Sequence, residues 1–119
     1  MPEITIYQKP TCSTCRQVLR LVKESGRPFR AINYYEQPFS KSLLKSLIKK
    51  AGLAVRDVLR TKEDLYKELQ LSDDNLNDEQ LLDAMIKHPD LIQRPLVEKG
   101  SHVMLARPAE SITKILDMK

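Results

Sequence analysis

The sequence predicts an α/β protein in which a β-α-β unit and a β-β-α unit flank a helical insertion. Three observations carry this. An alternating apolar strand pattern at residues 3–7 gives way to a helical period and then to a second strand, a crossover that implies parallel pairing. The middle of the chain shows only helical signals. Two short apolar runs separated by Gly100 then read as a hairpin ahead of a final helix.

Each element has a local reason. "EITIY" (Glu3–Tyr7) alternates Ile4 and Ile6 with polar neighbours. Val18, Leu19, Leu21 and Val22 mark one face of a helix over Ser13–Ser25, with Gly26 as its stop. "FRAINYY" (Phe29–Tyr35) is the second strand. Ser40 is suited to cap a helix carrying Leu43, Leu44, Leu47 and Ile48, closed by Gly52. Shorter helical pieces are expected at Val55–Leu59 and Lys62–Leu69. Asn77 and Gln80 form a capping box for a helix that stops at Pro89. "PLVEKG" and "HVMLARP" form the hairpin, and Pro108 suits the first turn of a helix over Ala109–Met118. This order is the thioredoxin-like β-α-β / β-β-α core with a helical insertion. No repeat, linker or low-complexity segment interrupts it, so residues 1–119 are expected to form a single domain with the insert at about 40–90.

Composition narrows the function. A chain of 119 residues buries roughly two thirds of its unfolded surface and needs neither disulfide nor metal to hold a core. No apolar run approaches the ~18 residues of a membrane span, and the start lacks a basic segment followed by an apolar one. A cytoplasmic monomer is therefore expected. The net charge of +4 is spread among 16 acidic residues without a basic run, which argues against nucleic acid and leaves an anionic small substrate.

The chemistry is concentrated in "YQKPTCSTCR" (Tyr7–Arg16), which holds both cysteines, Cys12 and Cys15, directly after a strand. A C-x-x-C in a reducing compartment points to redox or metal chemistry. A free thiol with a pKa of ~8.5 is only slightly ionised at neutral pH. A helix N-terminus favours the anion through its unpaired N–H groups and positive dipole end, and Arg16 adds a nearby cation. Lowering the pKa to ~6.5 corresponds to about 2.7 kcal/mol. Cys12, at the helix start, gains most and is the expected nucleophile. Cys15, one turn in, is placed to attack a bond formed at Cys12. Other uses of the pair are weaker. Zinc needs about four ligands, and His88 and His102 lack the spacing to supply them, so no metal is expected. A structural disulfide would close a very small loop, and inert core cysteines more usually sit within elements.

Three arginines stand in suggestive places: Arg60 in "VRDVLRTKE", Arg94 in "LIQRPLVEKG" and Arg107 in "VMLARPAES". Arg94 precedes Pro95 at the start of a strand, where thioredoxin-like folds place a cis proline facing the active cysteine. Arg107 ends the neighbouring strand. Guanidinium groups at adjacent strand ends suit a tetrahedral oxyanion, although each arginine taken singly also reads as a surface charge. Together with "ITIYQKPTCSTCRQVL", "GLAVRDVLRTKEDLYKELQL", "LLDAMIKHPDLIQRPLV" and "ARPAESI", these residues resemble the glutaredoxin-coupled arsenate reductase (ArsC) family over Ile4 to about Leu116.

That resemblance implies a catalytic cysteine at Cys12 and oxyanion-binding arginines at Arg60, Arg94 and Arg107. It also implies attack of the thiolate on arsenate, glutathione as co-substrate without any bound cofactor, and glutaredoxin as reductant. Deleting one arginine would cost roughly tenfold or more in rate. Two residues depart from the family. Gln8 stands where well-known members carry a histidine near the cysteine, and it cannot act as a cation. Cys15 stands where the glutathione-dependent members have serine, which suggests a Cys12–Cys15 disulfide reduced by thioredoxin or glutaredoxin. The C-x-x-C also resembles that of Spx-type regulators, whose partner is RNA polymerase, and a general thiol reductase of the same superfamily is a further alternative. His88 reads as a helix-end cation, His102 as an exposed strand residue, and "SDDNLNDEQ" as a solvated loop and helix start.

Overall fold

The β-branched and aromatic residues at the start of the chain build β1 (Ile4–Gln8), an interior strand of this computed structural model, which describes residues 4–9, 11–107 and 109–116. β1 pairs in parallel with β2 (Phe29–Asn33) and antiparallel with β3 (Leu96–Lys99), which pairs with β4 (His102–Leu105). The sheet order is β2-β1-β3-β4. Connecting β1 to β2 is α1 (Ser13–Glu24), which ends where Gly26 takes a φ of 74° that a side chain would disfavour. Ile4, Ile6 and Val97 on one sheet face pack with Val18 and Val22 of α1 and with Ile112, Ile115 and Leu116. The alternation of β1 thus matches the helical period of α1, and both point into one core.

The chain divides into two compact units, Met1–Gln37 with Arg94–Lys119, and Pro38–Gln93. The second unit is helical. α2 (Lys41–Lys50) begins where Ser40 Oγ accepts from the Leu43 amide at 3.1 Å. α3 (Asp64–Glu68) is short, and α4 (Asp78–Lys87) starts with the reciprocal Asn77–Gln80 capping box, both bonds at 2.9 Å. α2 and α4 bury Leu44, Leu47, Ile48, Leu81, Leu82 and Met85. On the outside, Lys41 pairs with Glu79 at 2.7 Å and Asp83 at 2.8 Å, and Lys45 with Glu79 at 2.8 Å.

Several boundaries differ from expectation for identifiable reasons. β2 stops at Asn33 and not Tyr35, because Asn33 Oδ1 accepts from the Tyr35 amide and its carbonyl accepts from Glu36 and Gln37, turning the chain. Val55–Val58 is a 3₁₀ turn, tightened by Asp57 Oδ2 accepting from the Ala54 amide. The last helix opens as a 3₁₀ turn at Ala109–Ser111 and continues as α5 (Ile112–Leu116). The expectations at Glu3, Pro108, Asp117 and Met118 lie outside the described residues. No helix among the described residues is long and apolar enough to cross a membrane.

Candidate active site

Topology gathers several of the candidate site residues at one end of the sheet. β1 and β2 run parallel, so Gln8 and Asn33 finish together. β3 starts at that end, with Leu96 opposite Tyr7, and β4 returns to it, with Leu105 opposite Leu96. Arg94, Pro95 and Arg107 are therefore delivered to the place where α1 begins. The Arg94–Pro95 peptide is cis, Pro95 is buried, and its carbonyl accepts from the Ala106 amide at 3.0 Å.

Cys12 is the N-cap of α1. Its amide donates to the Lys9 carbonyl at 3.0 Å, and its Sγ accepts from the Cys15 amide at 3.5 Å. Sulfur here takes the part usually played by a serine or aspartate oxygen, which favours the charged form. Partial burial pushes the Cys12 thiol up. The Cys15 amide and thiol and the Arg94 guanidinium outweigh that and hold it at about 7, against an ordinary 9.0. Cys15 is fully buried, and burial together with the neighbouring Cys12 sulfur pushes its thiol up to about 12. Both thiols are free. The pair is thus one accessible, acidic thiol backed by one inaccessible, protonated thiol.

Arg94 is only 7% exposed. Its Nη1 donates to Tyr34 Oη at 3.4 Å. Burial alone would lower its pKa, but the Tyr34 hydroxyl and Cys12 hold it firmly charged. Arg107 is exposed, and its Nη1 donates to the backbone carbonyl of Arg94 at 2.9 Å, which ties the ends of β3 and β4 together. Arg60 belongs to the helical unit, where its Nε pairs with Glu63 at 3.1 Å and its amide donates to the Leu91 carbonyl at 2.8 Å. Arg16 is exposed on α1. The groups that lower Cys12 are Cys15 and Arg94, so the cation acting on the thiol comes from the far side of the sheet sequence and not from the next turn of the helix. Gln8 is buried at the end of β1.

Tyr34 is the residue that sequence reasoning missed. It is 1% exposed, its amide donates to the Gln8 carbonyl, and its ring lies 5.1 Å from that of Tyr35, over which Lys9 Nζ sits at 4.8 Å. One signal was available: residues just past β2 must neighbour those just past β1, because the two strands are parallel. No cluster of three or more His, Cys, Asp or Glu suited to a metal occurs among the described residues. His102 is exposed in β4, and His88 ends α4.

A sheet of this order with a dithiol at its first strand-to-helix turn is that of a thioredoxin-like protein. Residues 7–115 match the ArsC family, and the chain belongs to that family. It is 41% identical to an arsenate reductase of Acidiphilium multivorum over 98% of this chain and 82% of that one. It is 38% identical to the uncharacterized protein YfgD of Escherichia coli over 96% and 97% of the two chains. Among solved structures, an arsenate reductase from Vibrio cholerae superposes with a TM-score of 0.92 at 40% identity, covering 96% of this chain and 98% of that chain.

Proposed function

We propose that this chain is a thiol-dependent arsenate reductase in which Cys12 is the nucleophile and Cys15 the resolving thiol. The observation that carries the reading is Cys12 itself: accessible at the start of α1, held at about 7, and beside a buried arginine. Family membership and relatives named arsenate reductase supply the substrate.

The Cys12 thiolate attacks arsenic, and water leaves: RSH + H₂AsO₄⁻ gives RS–AsO₃H⁻ and H₂O. Arsenate would repel a bare thiolate. Arg94, Arg107 and the amides of the first turn of α1 offset that repulsion and stabilise the charge that develops. The family resemblance assigns the same duty to Arg60. Esterification removes the negative sulfur that, after burial, holds the proton on Cys15. Cys15 then attacks the Cys12 sulfur: RS–AsO₃H⁻ + R′SH gives RS–SR′ and H₂AsO₃⁻. Arsenic gains two electrons and the dithiol loses two. Because Cys15 has no exposed surface, an external thiol reaches this pair through Cys12. Thioredoxin or glutaredoxin restores the dithiol, with glutathione attack on the arsenic ester as the other route to the same product. An arginine beside a reactive thiol would also serve a redox switch or a general disulfide reductase; the relatives named arsenate reductase favour this reading over both.

Arsenate-dependent NADPH consumption tests the proposal, coupled separately to thioredoxin with its reductase and to glutathione with glutaredoxin. Turnover in one system that vanishes in Cys12→Ser is expected. Absence of turnover in both, with the dithiol intact, would overturn it.

A further inference from the structure

Two arginines of the helical unit use their guanidinium groups in opposite ways. Arg56 gives both terminal nitrogens to the protein: Nη1 donates to the Leu71 carbonyl at 2.9 Å and Nη2 to the Asp73 carbonyl at 2.7 Å, which fastens the loop after α3. Arg60 gives only Nε, to Glu63 Oε1 at 3.1 Å. Among the described residues its Nη1 and Nη2 have no protein partner. The edge that Arg56 uses for structure is the edge that Arg60 keeps open.

The hold on Arg60 is local. Its amide donates to the Leu91 carbonyl at 2.8 Å, beside the Leu59–Ile92 bridge, which fixes the backbone. A tight turn follows, in which the Glu63 amide donates to the Arg60 carbonyl at 3.2 Å. That turn brings the two side chains together, both half-buried at 24% and 32% exposed. Glu63 is also the N-cap of α3, where a side-chain oxygen ordinarily accepts from an amide of the first turn. It makes no such bond, and its carboxylate is turned to the arginine instead. We propose that Glu63 is a positioning residue, holding Arg60 by Nε so that the Nη1–Nη2 edge is presented to the oxyanion. This rests on the oxyanion-binding reading of Arg60 and adds to it the mode of contact, a bidentate bond from the outer edge with the Nε edge closed to the anion. A long side chain loses rotamer freedom when it binds, and one already held loses less. The carboxylate opposes an anion by its charge, so position and charge act in opposite directions and can be separated.

Phosphate is the probe, because it is tetrahedral and a thiol does not reduce it. It is titrated at pH 7 and constant ionic strength for protection of Cys12 against iodoacetamide, in the parent and three variants. Arg60→Leu should need at least about tenfold more phosphate than the parent, the loss of one charge-assisted hydrogen bond. Glu63→Gln keeps an acceptor for Nε without the charge. Glu63→Ser is equally neutral and able to cap α3, but too short to reach Nε. Glu63→Ser should therefore need about two- to tenfold more phosphate than Glu63→Gln, the equivalent of ordering one long side chain. A purely electrostatic role gives the two neutral variants the same value, and a role in capping α3 favours serine. Either result would overturn the inference while a weakened Arg60→Leu leaves the oxyanion reading of Arg60 in place. If phosphate fails to protect the parent, or protects Arg60→Leu equally well, that reading falls and the inference falls with it.

Discussion

Charge is used in opposite ways at the thiol end of the sheet and on the outside of the helical unit. Lys41, Lys45, Glu79 and Asp83 are all partly or largely exposed, and each has an ion partner within 2.8 Å. The two ammonium groups hold the Glu79 carboxyl down at about 2, but water screens these charges and the pairs contribute little. Arg94, by contrast, is almost wholly buried, keeps one donor unpaired, and turns others toward Tyr34 and a partly exposed sulfur. An exposed charge meets its remaining hydrogen bonds with water. A buried charge with capacity left over is poised for something the protein itself does not supply.

The sharpest way to break the comparison is Arg94→Leu. Burial of Cys12 would remain while its guanidinium partner is lost, so the midpoint for alkylation should climb from about 7 toward 9. Arsenate turnover per unit enzyme should fall by about tenfold or more, the rate equivalent of one charge-assisted hydrogen bond. The pH dependence has a definite sign. A thiol depressed in the folded state contributes stability above its unfolded value of 9.0, and that contribution is lost as pH falls through about 7. A parent protein whose Cys12 alkylation midpoint lies at 9 would remove the electrostatic basis of the proposal.

Cys15 sharpens the comparison by separating two roles. Cys15→Ser and Cys15→Ala both remove the resolving thiol, and both should abolish the internal disulfide seen by mass spectrometry after mild oxidation. Only alanine also removes the side-chain donor to Cys12, so the alkylation midpoint should rise in alanine and stay near that of the parent in serine. Tyr34→Phe comes next. Losing one hydroxyl acceptor frees Arg94 without removing it, so an increase in arsenate KM of a few fold is expected with little change in thermal midpoint. An unchanged KM would mean that packing alone positions the arginine. The smallest effect belongs to Glu79→Gln, for which turnover and unfolding midpoint at neutral pH should both stay within error. A large loss in either would show that the exposed network does more than decorate the helical unit.

What could be read without coordinates was whatever depends on near neighbours in the chain. Cys12 and Cys15 declare themselves because a three-residue spacing on a helix start determines their relation. The Ser40 and Asn77 caps are equally local, and both form as expected. Arg94 and Arg107 were legible through the hairpin they flank, since an antiparallel pair brings its outer ends together. Tyr34 was not, because its partner lies 60 residues away and "NYY" looked like the rest of a strand. Arg16 was overvalued for the converse reason: closeness in sequence placed it near Cys12, but its exposed position on α1 left the sulfur to Arg94.

By itself, the sequence determined the order of strands and helices, the position of the nucleophile at a helix N-terminus and the family to which the chain belongs, because periodicity, caps and spacing act within a few residues. Only the tertiary structure decided which cation meets Cys12, why two thiols three residues apart ionise so differently, and which buried donor is left without a partner. Those are matters of burial and long-range pairing, and they exist only once the parallel strand and the hairpin have closed on the start of α1.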